Sequence, residues 1–403
     1  MRRTFKAFSY RDFRLMWAGA FTSSVGTWMQ EVAQNWLILT MTGSTALLGL
    51  DAFLGDAPFL LFSLFGGVLA DRMDRRRILL GSQVVQMSSA ILLAALIVTG
   101  NIHVWIILTL SFVVGFAQSF GGPAYQALIP TLVDREDLPN AVAMNSIQFN
   151  LARVIGPVLA GVAFYKLGAA ACFGLNAISF LAPIAALSVL ARGGMVAAPS
   201  TETVLQSLRT GLKAVVDDKG LRGLVTLGFI GSFCAMPLVT FLPVFAKSVF
   251  HQDAKGYSVL LAAFGIGAIG GAVGTAWIGN VRRKGIVAVA MQMTFGALMA
   301  GFALSRNPIL SYALLALAGA SLMVVFAMFM TLVQANVDDR LRGRVVSVYS
   351  LAFRGAMPLG NLLAGLVAAV ATAPRVLIAN GLVMLGVGAV VLLRPVGAGI
   401  RKL

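Results

Sequence analysis

Charged residues are rare in this sequence, and the few that fall inside its long apolar runs are the first candidates for chemistry. Of 15 acidic residues, only Glu31, Asp51 and Asp56 lie in such runs, and the only basic residues there are Arg153 and Arg354. A charge inside a membrane-spanning run is costly, so it usually faces a wet pathway, an opposite charge or a proton route. Three acids and two arginines cannot all pair one to one, and an acid outside such a pair can cycle a proton.

The spacing of the acids predicts which of them face a common pathway. Gln30, Glu31 and Gln34 share a helix face through three- and four-residue steps, which predicts a wet stripe. Asp51 and Asp56 are five residues apart and therefore point about 140° away from each other on a helix. For Glu31 and Asp56 two interpretations stay open: proton coupling or substrate contact, and structural pairing with an arginine.

The two arginines have polar neighbours at helical spacing. Asn150 and Arg153 align with Ser146, and Arg354 aligns in the same way with Ser350 and Asn361. Arg153 and Arg354 also occupy corresponding positions of two similar segments, within one helical turn. We expect Arg153, Arg354, Gln34 and Asn150 to contribute, with Glu31 and Asp56, to a proton-coupling or substrate site.

A second concentration of charge is the segment 66–79, GGVLADRMDRRRIL, between two apolar runs. It is too short for a domain and reads as a tight cytoplasmic loop between two membrane helices. Asp71 falls at the inner end of the second helix, where an acid can meet a neighbouring helix amino end or an arginine. The alternative is that Asp71 only balances the four nearby arginines on a solvated loop.

The composition requires a membrane to position these residues. The chain has 403 residues, of which 59% are hydrophobic and 11% charged, with a mean hydropathy of +0.88. A spanning helix takes about 20 residues, and the apolar runs are of that length. They predict twelve helices, near 13–40, 45–70, 77–99, 103–128, 141–166, 169–191, 220–246, 257–280, 285–304, 309–333, 345–371 and 375–394.

The net charge of +16 indicates topology rather than nucleic-acid binding. With a cytoplasmic amino terminus, 24 of the 31 basic residues fall on the inner side of the twelve predicted helices and five on the outer side. This asymmetry is the positive-inside pattern, and it predicts that both termini are cytoplasmic. No nucleic-acid-binding module accompanies the charge, so neither DNA nor RNA is an expected partner.

The one long polar interruption, Arg192 to Gly220, divides the twelve runs into six and six. Its apolar residues recur at helical spacing, which predicts an amphipathic helix lying flat on the inner membrane surface. A solvated linker helix is the alternative. The predicted domains are residues 1–191, a linker at 192–219 and residues 220–403.

An internal repeat appears when the chain is shifted by 204 residues. Segment 132–161 then lies within 335–365, with Asp134 on Asp338, Gly156 on Gly360 and Gly161 on Gly365. Each copy runs from a charged inner loop into a glycine-rich helix. Parallel six-helix repeats predict this pattern.

The charged loop carries a family resemblance. Gly67, Asp71, Arg72 and Arg76, with the neighbouring arginines, resemble the gating loop of the major facilitator superfamily, although Asp74 stands where that family often has Gly. The chain opening, YRDFRLMWAGAFTSSVGTWMQEVAQNWLI, with NLARVIGPVLAG further resembles the enterobactin-exporter-like branch of secretion and drug efflux carriers. The resemblance implies two six-helix bundles that alternate access.

The resemblance also implies roles for particular residues. Asp71 would contact the start of the eleventh helix near Arg344 and Val345 and hold the inner gate closed. Gly156, Pro157 and Gly161 match part of an efflux-type pattern in the fifth helix, with Ala160 in place of a glycine. That departure weakens the antiporter implication, and close helix packing explains the same glycines.

These observations lead to one expectation. We expect an all-α protein with twelve transmembrane helices in two parallel-related bundles, in the cell inner (cytoplasmic) membrane. We expect it to act as a monomer that exports an amphipathic small molecule in exchange for protons. An importer or facilitator on the same fold is the alternative, and a membrane sensor or enzyme is a more distant one. His103 and His251 are the only histidines and no hydrolase or phosphate-binding motif is present, so no catalytic residue, cofactor or metal is expected.

Overall fold

The computed structural model describes residues 5–190, 204–278, 283–338 and 341–393, and these ranges are almost entirely helical. A short 3-10 helix, Lys6–Ser9, precedes the first long helix, and a short π-helical turn, Phe245–Val249, follows the ninth. The helices are α1 Arg11–Thr42, α2 Thr45–Arg72, α3 Arg75–Val98, α4 Val104–Leu128, α5 Leu138–Leu167, α6 Ala169–Ser179, α7 Leu181–Val189, α8 Val204–Asp217, α9 Lys219–Val244, α10 Ala254–Ile278, α11 Lys284–Leu304, α12 Pro308–Ala335, α13 Arg342–Ala371 and α14 Ala373–Leu393.

Within these ranges, 11 segments are long and apolar enough to cross a membrane. Helices α6 and α7 together form one of them, interrupted at Phe180. The remaining predicted membrane helix is the first one, α1. It is 32 residues long but falls outside this set, because Gln30, Glu31, Gln34 and Asn35 lower its hydropathy. The predicted twelve-helix fold class is confirmed, and the least apolar of its long helices is the one that carries the predicted wet stripe.

The chain forms two compact units. The first contains residues 1–43, 54–201 and 254–258, and the second contains 44–53, 202–253 and 259–403. The first turns of α2 therefore belong to the second unit and the rest of α2 to the first. The first turn of α10 belongs to the first unit and the rest of α10 to the second. The domain bounds at 191 and 220 remain a prediction about the halves of the sequence.

Glycines bring neighbouring helices close together at equivalent places in the two units. A Cβ atom on Gly115 of α4 would collide with the carbonyl oxygen of Gly55 in α2. A Cβ atom on Gly319 of α12 would collide in the same way with the carbonyl oxygen of Phe264 in α10. Small residues permit such close backbone approach in membrane helices, and the 204-residue repeat places the two glycines in register.

The segment before α1 is joined by an ion pair and hydrogen bonds to the segment at the start of α5. The Lys6 ammonium lies 3.0 Å from Asp137, and the Tyr10 hydroxyl donates 2.8 Å hydrogen bonds to Asp134 and Asp137. The backbone amide of Ala7 donates to the Asn140 side chain at 2.9 Å. The hydrogen bond and charge of Asp137 raise the pKa of Lys6, and the two carboxylates raise the pKa of Tyr10.

The predicted amphipathic linker helix is α8, and it packs on α13 within the second unit. Gly211 lies so close to α13 that a Cβ atom there would be 2.6 Å from the carbonyl oxygen of Arg344. Val215, one turn later, is 4% exposed. The repeat places Arg344 on Asn140, so α8 and the segment at Lys6–Ser9 cover equivalent positions in the two units. The other part of the linker, 192–203, lies outside the described residues.

Candidate functional site

Trp28 of α1 packs against three residues on one face of α5. The Arg153 guanidinium carbon lies 5.2 Å from the centre of the Trp28 ring, a cation–π arrangement. The Phe149 ring meets Trp28 edge to face at 6.0 Å, and a Cβ atom on Gly156 would be 2.5 Å from the Trp28 Cβ. Because Phe149, Arg153 and Gly156 follow at four- and three-residue steps, they share one face of α5. Trp28, Phe149, Arg153 and Gly156 therefore form one contact between α1 and α5.

Glu31 lies one helical turn after Trp28 and is exposed at the surface of the first unit. It interacts electrostatically with Arg153 and also with Tyr257 in the first turn of α10, which belongs to the same unit. The structure therefore brings together Glu31 and Arg153, two of the residues predicted from sequence. An acid, a cation and an aromatic ring converge there, which suits contact with a polar or charged group on an amphipathic molecule.

The other polar residues of the predicted stripe are held by neighbouring helices. Gln30 accepts a 2.7 Å hydrogen bond from the Asn176 side chain of α6, and Gln34 donates a 2.9 Å bond to Ser111 of α4. The Glu31 carboxylate is exposed whereas Gln34 is only partly so. The stripe therefore divides into one exposed acid and two amides that join helices.

Asn35 and Trp36 of α1 contact Tyr257, a residue that the sequence analysis did not single out. The Asn35 side chain donates to the Tyr257 hydroxyl at 3.4 Å, and the Trp36 ring stacks on the Tyr257 ring with centres 6.3 Å apart. Tyr257 is fully buried. Its only sequence signal is a tyrosine at the start of the apolar run 257–280, which does not identify its partners.

Two further predicted site residues, Asn150 and Arg354, lie in different surroundings. The Asn150 amide donates to the carbonyl of Ser146 in its own helix at 2.9 Å. In the second unit, Arg354 is exposed, whereas Asn361 is buried and accepts a 3.0 Å bond from Thr240. Arg354 is therefore exposed and Asn361 buried, although both lie on the same face of α13 by their spacing.

The two acids of α2 differ as their spacing predicts. Asp51 is 6% exposed, within the part of α2 that belongs to the second unit. Asp56 is exposed, within the part that belongs to the first unit. Of the two acids, Asp56 is therefore the exposed one and Asp51 the buried one.

The charged loop is built from helix caps. The Asp74 carboxylate accepts a 2.9 Å bond from the Arg76 backbone amide and caps the start of α3, which gives a local reason for an acid at this position. Arg75 donates to the carbonyl of Ala127 at 2.9 Å, at the end of α4. Arg76 donates to Ser188 at 2.8 Å and to Leu190 at 3.3 Å, at the end of α7.

The arginine caps join α3 to two other helices of the first unit, because the last carbonyls of a helix attract cationic donors. Arg75 was selected from sequence only as one arginine of the loop motif, since a run of three arginines does not show which one is buried. Gly67 is partly exposed in α2 and has open space around its Cα. The backbones of Asp71 and Arg72 end α2, and their side chains lie outside the described part of the structure.

The fifth-helix glycines are sites of close contact. Gly156 meets Trp28 and the carbonyl of Val25, and its repeat partner Gly360 meets the carbonyl of Phe233 in α9. Gly161 faces Ser258, whose Cβ would be 2.9 Å from an added Cβ, and Pro157 is buried between the two glycines of α5. This geometry explains the glycines by packing, whatever further part they have in transport.

A group of buried polar side chains in the second unit was not predicted. Ser232 of α9, Gln292 of α11 and Tyr349 of α13 are each at most 3% exposed, and within the described residues their side-chain polar atoms have no hydrogen-bond partner. Gly231 contacts the Gln292 amide and Gly228 contacts the Tyr349 ring. Buried polar atoms are usually hydrogen-bonded to protein or to internal water, so these three side chains are unusual among the described residues.

Metal-ligating and redox-active groups are sparse in the described ranges. No group of three or more His, Cys, Asp or Glu side chains that could hold a metal occurs among them. Cys172 and Cys234 are free thiols buried in separate helices.

Comparison with known proteins identifies the family. Residues 3–399 match the model of the transmembrane secretion effector family. The multidrug efflux pump Tap of Mycolicibacterium fortuitum is 28% identical over 389 residues, covering 93% of this chain and 94% of that protein. The enterobactin exporter EntS of Shigella boydii is 27% identical over 387 residues, covering 94% and 91%.

A solved structure agrees in fold. A bacterial homologue of the human lysosomal transporter Spinster, in an inward-facing and unoccupied conformation, superposes with a TM-score of 0.75 at 13% identity, covering 97% of this chain and 96% of that one. The helical fold, the repeat and the match over nearly the whole length agree with one another. The chain belongs to the transmembrane secretion effector family of the major facilitator superfamily, and it is a multi-pass membrane transporter, not an enzyme.

Proposed function

We propose that this transporter exports amphipathic small molecules from the cytoplasm in exchange for protons, by alternating access of its two six-helix halves. The names of two relatives, a multidrug efflux pump and an enterobactin exporter, support export. The observation that carries the proposal is the convergence of Glu31, Arg153 and Trp28 on the least apolar of the long helices. This grouping joins a proton acceptor to surfaces for a charged and an aromatic group.

Glu31 is the proposed proton-cycling residue. It is exposed in the first unit and interacts electrostatically with Arg153. A proton on Glu31 weakens that attraction, and a substrate group can then compete for Arg153. Trp28 holds the Arg153 guanidinium in place through its ring face. Asp56 is the second candidate acid, and Gln34, Asn150 and Arg354 are candidate substrate contacts.

Asp71 is proposed as an inner-gate latch, with Gly67, Arg72 and Arg76 of the same loop. The family resemblance supports this role for Asp71. The observed caps support a structural role for Arg76, because its bonds to Ser188 and Leu190 fix the start of α3 against the end of α7. The efflux-type residues Gly156, Pro157 and Gly161 are proposed to let α5 move against its neighbours while remaining closely packed.

The proposed location is the bacterial inner membrane, with both termini in the cytoplasm and the chain acting as a monomer. The excess of basic residues in the predicted inner loops supports this topology. The proposed halves are residues 1–191 and 220–403, joined by a cytoplasmic linker. Protons, a small-molecule substrate and the lipid bilayer are the proposed partners.

Inside-out membrane vesicles test the coupling and the direction together. Ethidium, erythromycin and a catecholate siderophore serve as probes, with vesicles lacking the protein as the control. An exporter coupled to protons accumulates a probe inside these vesicles when their lumen is acidic, and a protonophore abolishes the accumulation. Accumulation that persists unchanged with the protonophore would contradict proton coupling. Probe movement only out of the vesicles would favour the importer alternative.

A further inference from the structure

The surface of α8 is divided into sectors with different chemistry. One sector is docked on the protein: Gly211 approaches the carbonyl of Arg344, Val215 is 4% exposed, and Leu208 packs against the same apolar cluster. At about 100° per residue, these three positions lie within about 60° of one another around the helix. Ala214 packs against the same cluster on the far side of Gly211, whereas Leu212 and Val216 adjoin the docked sector on its other side.

The adjoining sector is apolar and exposed. Leu212 and Val216 are one turn apart, and they are 54% and 52% exposed. Arg209 and Lys213, also one turn apart, are exposed on the next strip of the helix. The polar residues Gln206, Thr210 and Asp217 follow on the side beyond the two basic residues. The order around the helix is therefore protein, apolar, basic and polar.

The place of α8 in the chain puts these sectors at the edge of the bilayer. Helix α8 ends at Asp217 and α9, a membrane span, begins at Lys219. The intervening Asp218 caps α9 by accepting a 2.7 Å bond from the Leu221 amide, which allows almost no separation between the two helices. An exposed apolar strip beside basic residues at this depth has the arrangement of an interfacial helix.

We propose that α8 binds anionic phospholipid, with Leu212 and Val216 among the upper acyl-chain carbons and Arg209 and Lys213 on the head-group phosphates. The charge complementarity selects an anionic lipid, since basic side chains at a membrane surface each contribute about 1 kcal/mol of attraction. Gly211 rests on the first turn of α13, so a lipid held by α8 also restrains the start of α13. The proposal does not depend on what the transporter carries.

Native mass spectrometry of the full-length protein, with phosphatidylglycerol and phosphatidylcholine as probes, tests the head-group contact. We expect Arg209→Gln to weaken phosphatidylglycerol binding about 5-fold, and Arg209→Gln with Lys213→Gln to weaken it about 25-fold. The matched control is Lys247→Gln with Arg306→Gln, which removes two exposed charges elsewhere in the same unit. Equal phosphatidylglycerol binding in wild type and the α8 double variant would overturn the proposal, as would an equal loss in the control.

A nitroxide at position 212 tests the apolar contact independently. It is introduced as Leu212→Cys, with Cys172→Ser and Cys234→Ser, in nanodiscs that contain phosphatidylglycerol. We expect higher collision with oxygen than with a water-soluble nickel complex at 212, and the reverse at Thr210→Cys, which lies on the polar sector. Water-like accessibility at both positions would place α8 away from the bilayer and refute the proposal.

Discussion

Asn176 and Asn380 are equivalent by the 204-residue repeat, and each donates its side-chain amide to the equivalent position of the first long helix of its half. Asn176 donates to the Gln30 side chain at 2.7 Å, whereas Asn380 donates to the Cys234 carbonyl at 3.1 Å. The repeat thus preserves a helix-to-helix contact while the acceptor changes from side chain to backbone. The acceptor position holds the polar side chain Gln30, next to Glu31, in the first copy and Cys234 in the second.

The first prediction concerns Glu31. We expect Glu31→Gln to abolish uphill transport driven by a pH gradient while preserving downhill exchange, because only the protonation step is lost. A purely structural Glu31 would instead leave Arg153 without its attraction and lower stability by about 1–3 kcal/mol, and Arg153→Gln in the same chain would restore it. Flux and thermal unfolding of the single and double variants distinguish the two roles, with Glu136→Gln as an exposed-acid control. Full pH-driven flux in Glu31→Gln would show that Glu31 is not the proton-cycling residue.

The inner-gate latch is tested by Asp71→Asn. The change removes the charge and keeps the shape of the side chain, so we expect normal membrane insertion with reduced flux. Asp217→Asn, an exposed acid at the end of α8, provides the control. Normal flux at a normal protein level would rule out the latch.

Gly156 should tolerate no side chain. A Cβ atom there would be 2.5 Å from the Trp28 Cβ and 2.8 Å from the Val25 carbonyl oxygen. We expect Gly156→Ala to destabilise the protein by about 1–3 kcal/mol through overpacking, as measured by thermal unfolding in detergent. Gly174→Ala in α6, which has open space around it, should be neutral or slightly stabilising. Similar unfolding temperatures for the two variants would show that α1 and α5 can separate without cost.

The arginines of the charged loop should differ in importance. Arg76→Gln loses two bonds to the carboxyl end of α7, so we expect a stability loss of about 1 kcal/mol. Arg77 is largely exposed and lies 3.8 Å from Asp74, an i,i+3 pair that contributes little. Thermal unfolding of Arg76→Gln and Arg77→Gln makes the comparison, and a larger loss for Arg77→Gln would contradict the cap assignment.

The segment before α1 should loosen at high pH. The pKa of Lys6 is raised above 10.5 by Asp137, so its stabilising contribution is complete below that pH and is lost as the pH rises through the raised value. We expect Tyr10→Phe to lower the unfolding temperature, since it removes the bonds to Asp134 and Asp137. Tyr165→Phe, an exposed tyrosine, is the control. Hydrogen exchange at residues 5–10 measures the effect directly, and unchanged exchange in Tyr10→Phe would contradict the contact.

Much of this protein could be predicted from sequence because hydropathy and periodicity are local properties. Runs of about 20 apolar residues have one solution in a bilayer, so the twelve helices and the amphipathic linker follow from composition. The repeat follows from matching residues at a fixed shift. The different directions of Asp51 and Asp56, about 140° apart, follow from helix geometry alone.

The partners of these residues could not be predicted in the same way, because they depend on how helices distant in sequence pack together. Trp28 meets Arg153 and Gly156 only because α1 and α5 approach within backbone contact. The run of three arginines at 75–77 does not show from sequence that Arg75 caps α4 whereas Arg76 caps α7. Sequence determined which residues enter the membrane, and tertiary packing decided which of them meet, because a helix face acquires its function only from the helix opposite it.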